Sequence, residues 1–171
     1  MTIFLCGFMG CGKTTSGKII ARKLGCGYDD TDEMIVHNEN MTIPDIFAQK
    51  GEPYFRKIEA ETVKSLCGKN TVVSCGGGAM LNSETAAAVA EKGGITVFLD
   101  VPFKTCYERI KNDKNRPIVV SSTKEELHER YNQRYEIYKK NSAVTVKCTG
   151  SPTQNAEAVI AAVKGYKDAN L

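Results

Sequence analysis

The run from Gly7 to Thr14 contains the residues best suited to chemistry. It matches the phosphate-binding pattern G-x-x-x-x-G-K-[ST]. Its glycines let the backbone fold around a phosphate, and the helix expected after it adds partial positive charge at its N-terminus. Lys13 is then placed to reach the β- and γ-phosphates, and the Thr14 hydroxyl to ligate Mg²⁺. The residues predicted to contact ATP here are Gly10, Cys11, Gly12, Lys13, Thr14 and Thr15.

A second pattern is the pair of carboxylates at Asp30 and Asp32, where the chain is expected to leave a short strand. Residues two apart in an extended chain point to the same face, here toward the phosphate loop. One carboxylate suits Mg²⁺, held through water, and the other suits a hydrogen bond to an acceptor hydroxyl. Asp32 is equally suited to capping a helix that starts near Thr31, so spacing alone leaves both roles open.

Three consecutive glycines, Gly76 to Gly78, follow an apolar strand candidate. Such a run permits close approach of the backbone to a ligand and leaves N–H groups to donate. Arg56, Arg116 and Arg134 are each ordinary surface charges when taken singly. Taken together, they offer the guanidinium groups that a kinase needs for an anionic acceptor and for charge in the transition state.

The elements that must position these residues alternate between strand and helix. Strands are predicted at Ile3–Cys6, Thr71–Cys75, Ile95–Leu99 and Ala143–Lys147, with a shorter one before Asp30. Helices are predicted at Thr14–Leu24, Ile43–Gln49, Glu52–Cys67, Ser83–Lys92, Phe103–Asn112, Lys124–Lys139 and Thr153–Lys164. This alternation predicts a three-layer α/β/α fold around a central, parallel, five-stranded sheet, with ligands at the carboxyl ends of the strands.

Two segments interrupt the alternation within what we expect to be a single domain spanning residues 1–171. Residues 32–68 are almost wholly helical and too long for one crossover, which predicts an inserted cap that binds the substrate. Residues 112–123 are polar with one proline and predict a mobile lid.

Composition restricts the partners and the compartment. A formal charge of +3 without a dense basic run does not favour nucleic acid. No apolar run approaches the ~18 residues of a membrane span, and the N-terminus lacks the pattern of a signal peptide. Seven cysteines without a C-x-x-C pair suit a reducing cytoplasm, with Cys6, Cys67 and Cys75 expected in the core. We expect a cytoplasmic monomer.

The order and spacing of these motifs closely resemble shikimate kinase from residue 2 to about residue 165. The phosphate loop is common to many kinases, whereas its combination with the other motifs is specific to that family. The resemblance rests on Gly7 to Thr15, Asp30-Thr31-Asp32, Ile43 to Phe47, Gly51-Glu52 with Phe55-Arg56 and Glu59, Ser74 to Gly78, Arg116-Pro117, and Arg134 with Tyr138.

The resemblance implies phosphorylation of the 3-hydroxyl of shikimate by MgATP, in the pathway to chorismate and the aromatic amino acids. It implies Mg²⁺ on Thr14, with help through water from Asp30 and Ser74, and Asp32 on the shikimate hydroxyls. Residues implied to bind shikimate are Arg56, Gly76, Gly77, Gly78 and Arg134. Arg116 would descend with the lid onto the phosphates, and Arg109 would stack near adenine. The catalytic residues implied are Lys13, Asp32 and Arg116.

Several alternatives remain at this stage. Asp100 ends a strand and fits a Walker B aspartate, although in the resembling family the strand ending at Ser74 has that role. Relatives often carry an arginine near adenine where this chain reads Thr149-Gly150-Ser151-Pro152. A gluconate kinase would share the phosphate loop but gives no reason for arginines around Asp32, and a regulatory nucleotide-binding module would need no acceptor site at all.

The thiol of Cys11 admits two opposite interpretations. Beside a helix N-terminus and a lysine, it is expected to have a lowered pKa and to react with maleimide, more slowly when MgATP is bound. Alternatively, the side chain turns away from the cleft and is inert.

Overall fold

The computed structural model describes residues 1–170, and within them five parallel strands form one sheet in the order β2-β3-β1-β4-β5. The strands are β1 (Thr2–Cys6), β2 (Gly27–Asp30), β3 (Thr71–Ser74), β4 (Ile95–Asp100) and β5 (Val144–Lys147). The helices are α1 (Lys13–Leu24), α2 (Thr31–Glu39), α3 (Ile43–Lys50), α4 (Glu52–Leu66), α5 (Ser83–Glu91), α6 (Phe103–Ile110), α7 (Pro117–Ser121), α8 (Lys124–Lys140) and α9 (Pro152–Ala169), with a 3₁₀ turn at Ala79–Leu81. The predicted α/β fold with a parallel sheet is confirmed.

The central strand β1 is buried along its whole length because helices cover both faces of the sheet. Its side chains alternate between the two faces. Ile3 and Leu5 join a core cluster that includes Ile20 of α1. Phe4 joins a second cluster that includes Val63 of α4. The sheet therefore sits between two helical layers.

Parallel pairing brings the chemically important segments to one edge of the sheet. Strand β1 pairs with β3 and β4, and Asp30 at the end of β2 lies beside Ser74 at the end of β3. The phosphate loop, the two carboxylates and the glycine run therefore follow neighbouring strand ends.

Residues 31–66 are the helices α2, α3 and α4 with their connections, as the helical pattern predicted. These helices have a small core of their own, built on Ile35, Ile46 and Phe55. The segment predicted as a lid contains the short helix α7. Val119 of α7 is buried in the main core, whereas Val120 beside it is 66% exposed.

The last helix is longer than predicted, because α9 continues to Ala169 instead of ending at Lys164. It begins at Pro152, after a capping box in which Ser151 and Gln154 exchange hydrogen bonds. Among residues 1–170, no helix combines the length and the apolar character needed to cross a bilayer.

Candidate active site

The phosphate loop connects β1 to α1 and depends on glycines in the left-handed region. The φ angle is 79° at Gly10 and 92° at Gly12. A Cβ atom on Gly10 would lie 2.8 Å from the carbonyl oxygen of Cys106, so α6 leaves no space for a side chain there. Gly12 is the N-cap of α1 and offers no side chain to cap it. The first N–H groups of α1 are therefore available to bind an anion.

The side chain of Lys13 lies over this loop. Its Nζ donates to the carbonyl oxygens of Gly7 at 2.7 Å and Phe8 at 3.2 Å. Thr14 and Thr15 follow in the first turn of α1 and are exposed at the cleft. A positive charge and two hydroxyl groups thus lie beside the phosphate loop.

Two arginines line the same side of the cleft. Arg109 of α6 donates through Nη1 to the carbonyl oxygen of Gly10 at 2.9 Å, which places its guanidinium beside the phosphate loop. Arg116 precedes α7, is 46% exposed, and pairs through Nε with Asp113 Oδ2 at 2.9 Å. Because an exposed ion pair of this kind is weak, Arg116 can exchange Asp113 for another anion at little cost.

Of the two interpretations of Cys11, the structure favours the one in which the side chain turns away from the cleft. Cys11 is only 2% exposed and packs in the main core. Its N–H donates to the carbonyl oxygen of Phe8 at 3.1 Å, within the loop. The thiol is therefore shielded from solvent, although Lys13 Nζ lies 3.6 Å from the sulfur.

A cleft of about 500 Å³ runs from the phosphate loop to the glycine run. The predicted site residues that line it are Gly10, Gly12, Lys13, Thr14, Thr15, Asp30, Asp32, Gly76, Gly77, Arg109 and Arg116. Four others, Cys11, Arg56, Gly78 and Arg134, lie outside that lining.

The two carboxylates have separate structural roles. Asp30, and not Asp32, caps α2: its Oδ1 accepts the N–H groups of Asp32 at 3.0 Å and Glu33 at 3.3 Å. The capping role considered for Asp32 is therefore wrong, and its half-buried carboxylate faces the cleft. Burial and the nearby Asp30 raise the pKa of Asp32, while the cations of Lys13 and two arginines oppose that rise. A raised pKa makes Asp32 a better proton acceptor than an ordinary aspartate.

Thr31, to which the sequence assigned no role, attaches the glycine run to α2. Its buried hydroxyl accepts the Gly76 N–H at 2.8 Å. A side chain on Gly76 would collide with Asp32 Oδ1, so the backbone of the run lies directly against that carboxylate. The Asp32 carboxylate and the glycine run are thus held together as one unit.

Arg56 reaches the same region from α4. Its guanidinium occupies the space into which a side chain on Gly78 would project. Nη1 pairs with the buried Glu59 at 2.8 Å, and Nη2 pairs with the exposed Glu52 at 3.3 Å. Burial raises the pKa of Glu59, whereas its bond to Arg56 lowers it. Glu59 therefore orients the guanidinium toward the glycine run.

Arg134 approaches the glycine run from α8, on the other side. Its Nη1 lies 3.5 Å from the carbonyl oxygen of Gly77, and the buried Tyr138 donates its hydroxyl to the same oxygen at 2.5 Å. Two arginines from distant helices thus flank one glycine run, an arrangement suited to binding a carboxylate.

The oxygen atoms near Thr14 fit a magnesium ion. The Thr14 hydroxyl, the Ser74 hydroxyl and the Asp30 carboxylate are hard donors of the kind that Mg²⁺ prefers, and Asp30 uses only one oxygen as a cap. Residues 1–170 contain no group of three or more His, Cys, Asp or Glu side chains placed so that they could hold a metal ion by themselves. A Mg²⁺ ion held here would therefore keep several waters and rely on nucleotide phosphates.

Asp100, the other candidate for a metal-directed aspartate, has a structural partner. Its Oδ2 accepts the hydroxyl of Tyr135 on α8 at 3.1 Å. It therefore ties α8 to the end of β4.

A parallel sheet with a phosphate loop after its central strand, and a carboxylate and two arginines around the glycine run beside that loop, is typical of a phosphate-binding-loop kinase that acts on small molecules. The family model for shikimate kinase matches residues 9–164. The chain belongs to the shikimate kinase family.

Relatives in sequence agree with this assignment. The shikimate kinase of Aquifex aeolicus is 38% identical over 166 residues, which cover 96% of this chain and 97% of the relative. The shikimate kinase of Persephonella marina is 43% identical over 137 residues, covering 80% of this chain and 82% of the relative.

Solved structures agree as well. A shikimate kinase from Acinetobacter baumannii in complex with shikimate has a TM-score of 0.87 and 30% identity, covering 97% of this chain and 94% of that one. A gluconokinase from Sinorhizobium meliloti has a TM-score of 0.56 and 16% identity, covering 98% and 96%, so it shares the fold alone.

Proposed function

We propose that this protein transfers the γ-phosphoryl group of MgATP to the 3-hydroxyl of shikimate, giving shikimate 3-phosphate and ADP on the way to chorismate and the aromatic amino acids. The observation that carries the proposal is the convergence of Asp32, Arg56 and Arg134 on one glycine run beside the phosphate loop. This set offers a proton acceptor and two guanidinium groups, which suits an acceptor bearing hydroxyls and one carboxylate. The bound shikimate of the Acinetobacter baumannii relative supports the choice of acceptor.

Each residue then has a role in the transfer. The phosphate loop and Lys13 hold the β- and γ-phosphates, and Arg109 packs near adenine. Arg56 and Arg134 hold the acceptor carboxylate, with Gly76, Gly77 and Gly78 allowing close contact. Arg116 comes down from the 112–123 segment onto the phosphates, where it offsets charge that grows in the transition state.

Asp32 orients the acceptor hydroxyl and takes its proton. The acceptor oxygen forms a bond to the γ-phosphorus while the bond to the β–γ bridging oxygen breaks, so the electron pair leaves with ADP. The hydroxyl proton passes to Asp32 as the attacking oxygen becomes acidic. Thr14, Asp30 and Ser74 would hold Mg²⁺, which supplies charge neutralisation on the phosphates.

A coupled assay for ADP release tests this function. We expect ADP release to require shikimate and to give a product heavier by one phosphoryl group in mass spectrometry. Equal release with gluconate would favour the other acceptor class, and equal release without any acceptor would contradict an acceptor site. We further propose that the protein is a cytoplasmic monomer. Size-exclusion chromatography with light scattering tests the oligomeric state.

A further inference from the structure

The hydroxyl of Tyr28 contacts the Ser74 hydroxyl, one of the oxygen atoms that suit magnesium. Tyr28 is half-buried in β2 and donates its hydroxyl to Ser74 Oγ at 3.0 Å. Burial raises the pKa of the Tyr28 hydroxyl, which therefore stays protonated and can donate. The phenol therefore contacts the Ser74 hydroxyl at the end of β3.

The packing around Tyr28 is close enough to hold that contact in place. A Cβ atom on Gly17 of α1 would lie 2.8 Å from the ring and 3.1 Å from Ser74 Oγ. Glycine at this position lets α1 settle against the tyrosine ring. The Lys18 ammonium lies 5.5 Å from the ring centroid on the exposed side. The ring thus has little freedom to swing its hydroxyl away from Ser74.

We propose that Tyr28 is a positioning residue for the divalent cation, acting through the Ser74 hydroxyl. This inference rests on the proposed kinase function. A serine hydroxyl has two acceptor sites and one donor. With Tyr28 donating to one acceptor site, the Ser74 hydroxyl no longer rotates freely, and its second acceptor site would be left for a water molecule held by the cation. Groups that orient metal-bound water in this way influence metal affinity although they never touch the ion.

The Tyr28→Phe variant tests the inference because it removes the hydroxyl and keeps the ring against Gly17. The measurement is binding of Mn²⁺ to the protein with ADP, followed by the electron paramagnetic resonance signal of free Mn²⁺, with no acceptor present. The control is Tyr54→Phe, which removes a hydroxyl that bonds Glu39 in the helical segment, outside the cleft. A second measurement, the affinity for ADP with a chelator that removes divalent cations, shows whether the phosphate loop itself is intact.

We expect Tyr28→Phe to weaken Mn²⁺ binding about 3- to 10-fold, the loss typical of one neutral hydrogen bond, with metal-free ADP affinity unchanged. Tyr54→Phe should match the wild type. In a Ser74→Ala background the Tyr28→Phe change should have no further effect, because the two act as one unit.

Three results would overturn the inference. The first is that Tyr28→Phe binds Mn²⁺ as tightly as the wild type. The second is that Tyr28→Phe weakens Mn²⁺ binding just as much in the Ser74→Ala background. The third is that Tyr28→Phe weakens metal-free ADP binding as much as it weakens Mn²⁺ binding. The proposed function is tested separately by ADP release with shikimate, so it can stand when this inference fails. Wild-type protein that binds ADP without Mn²⁺ would also overturn this inference.

Discussion

The two halves of the cleft are built in different ways. The half around the phosphate loop, which we propose for the nucleotide, comes mainly from one contiguous run, from β1 through the loop to the first turn of α1, and this run offers backbone N–H groups. The acceptor half, as we propose it, is assembled from Asp32 and Gly77 in the cleft lining, with Arg56 and Arg134 beside the glycine run, and these residues come from separate parts of the chain. A local site spreads its binding over many equivalent groups, whereas an assembled site depends on a few individual side chains. Single substitutions should therefore do more selective damage in the acceptor half.

The Asp32→Asn variant should have the largest effect. Amide nitrogen and oxygen cannot take the proton of the acceptor hydroxyl, so we expect kcat to fall about 10²- to 10⁴-fold. The affinity of this variant for ADP should stay within about 2-fold of the wild-type value, a difference of about 0.4 kcal/mol, because the nucleotide half is intact. Steady-state kinetics and ADP titration measure the two effects, with the exposed Asp168→Asn as the control. A high kcat with lost ADP affinity would show that Asp32 acts on the nucleotide and not on the acceptor.

The Arg116→Ala variant tests a residue that we expect to act on the phosphates although it lies outside the phosphate loop. Because its guanidinium is expected on the phosphates only when the 112–123 segment closes, kcat should fall about 10²- to 10³-fold. The Kd for shikimate should change little. Rapid-quench kinetics and shikimate titration separate these quantities, with the exposed Arg22→Ala as the control. An unchanged kcat would show that Arg116 stays with Asp113.

The variants Arg134→Ala and Arg56→Ala should each raise KM for shikimate far more than KM for ATP. Loss of one partner of a desolvated carboxylate contact costs about 2–5 kcal/mol, and the half-exposed setting favours the lower end. They should differ in stability, since only Arg56→Ala leaves the buried Glu59 without its partner. Thermal melting should detect destabilisation in Arg56→Ala and its partial relief in the double variant with Glu59→Gln. Equal rises in both KM values would instead point to a loss of folded structure.

The same division explains what the sequence could predict. The strand, loop and helix around Lys13 were predicted within one or two residues because that information is local, as were the starts of α3, α4 and α5. The contact of Thr31 with Gly76 was not assigned, since it joins segments that only the folded chain brings together. The pair of Glu59 with Arg56 was not assigned either, although both lie on α4. Glu59 did carry a signal, a charged residue three positions after Arg56, which suits a pair on one helix face. The direction of the Cys11 side chain depends on packing in the main core and had no local signal.

A smaller effect concerns stability and pH. The folded protein raises the pKa of Asp32 above its ordinary value of 3.8, chiefly through burial and Asp30. The fold therefore binds this proton more tightly than the unfolded chain, and stability falls as pH rises through that interval. Asp32→Asn should match the wild type near pH 3, become the more stable protein as pH rises, and keep a constant advantage above the raised pKa. Urea unfolding between about pH 3 and 8 measures this difference, and a constant difference at all pH values would contradict it.

The smallest expected effect is at Cys11, where the structure favours the inert alternative. The thiol is 2% exposed, whereas Cys26 and Cys67 are partly exposed, so a maleimide should modify those two first. Peptide mass spectrometry should find Cys11 unmodified in the folded protein, with or without MgATP, and modified only after denaturation. A Cys11→Ala variant should therefore be inactivated at the wild-type rate, if it is inactivated at all. Rapid labelling of Cys11 that MgATP slows would instead restore the reactive interpretation and make the nucleotide half sensitive to a single side chain.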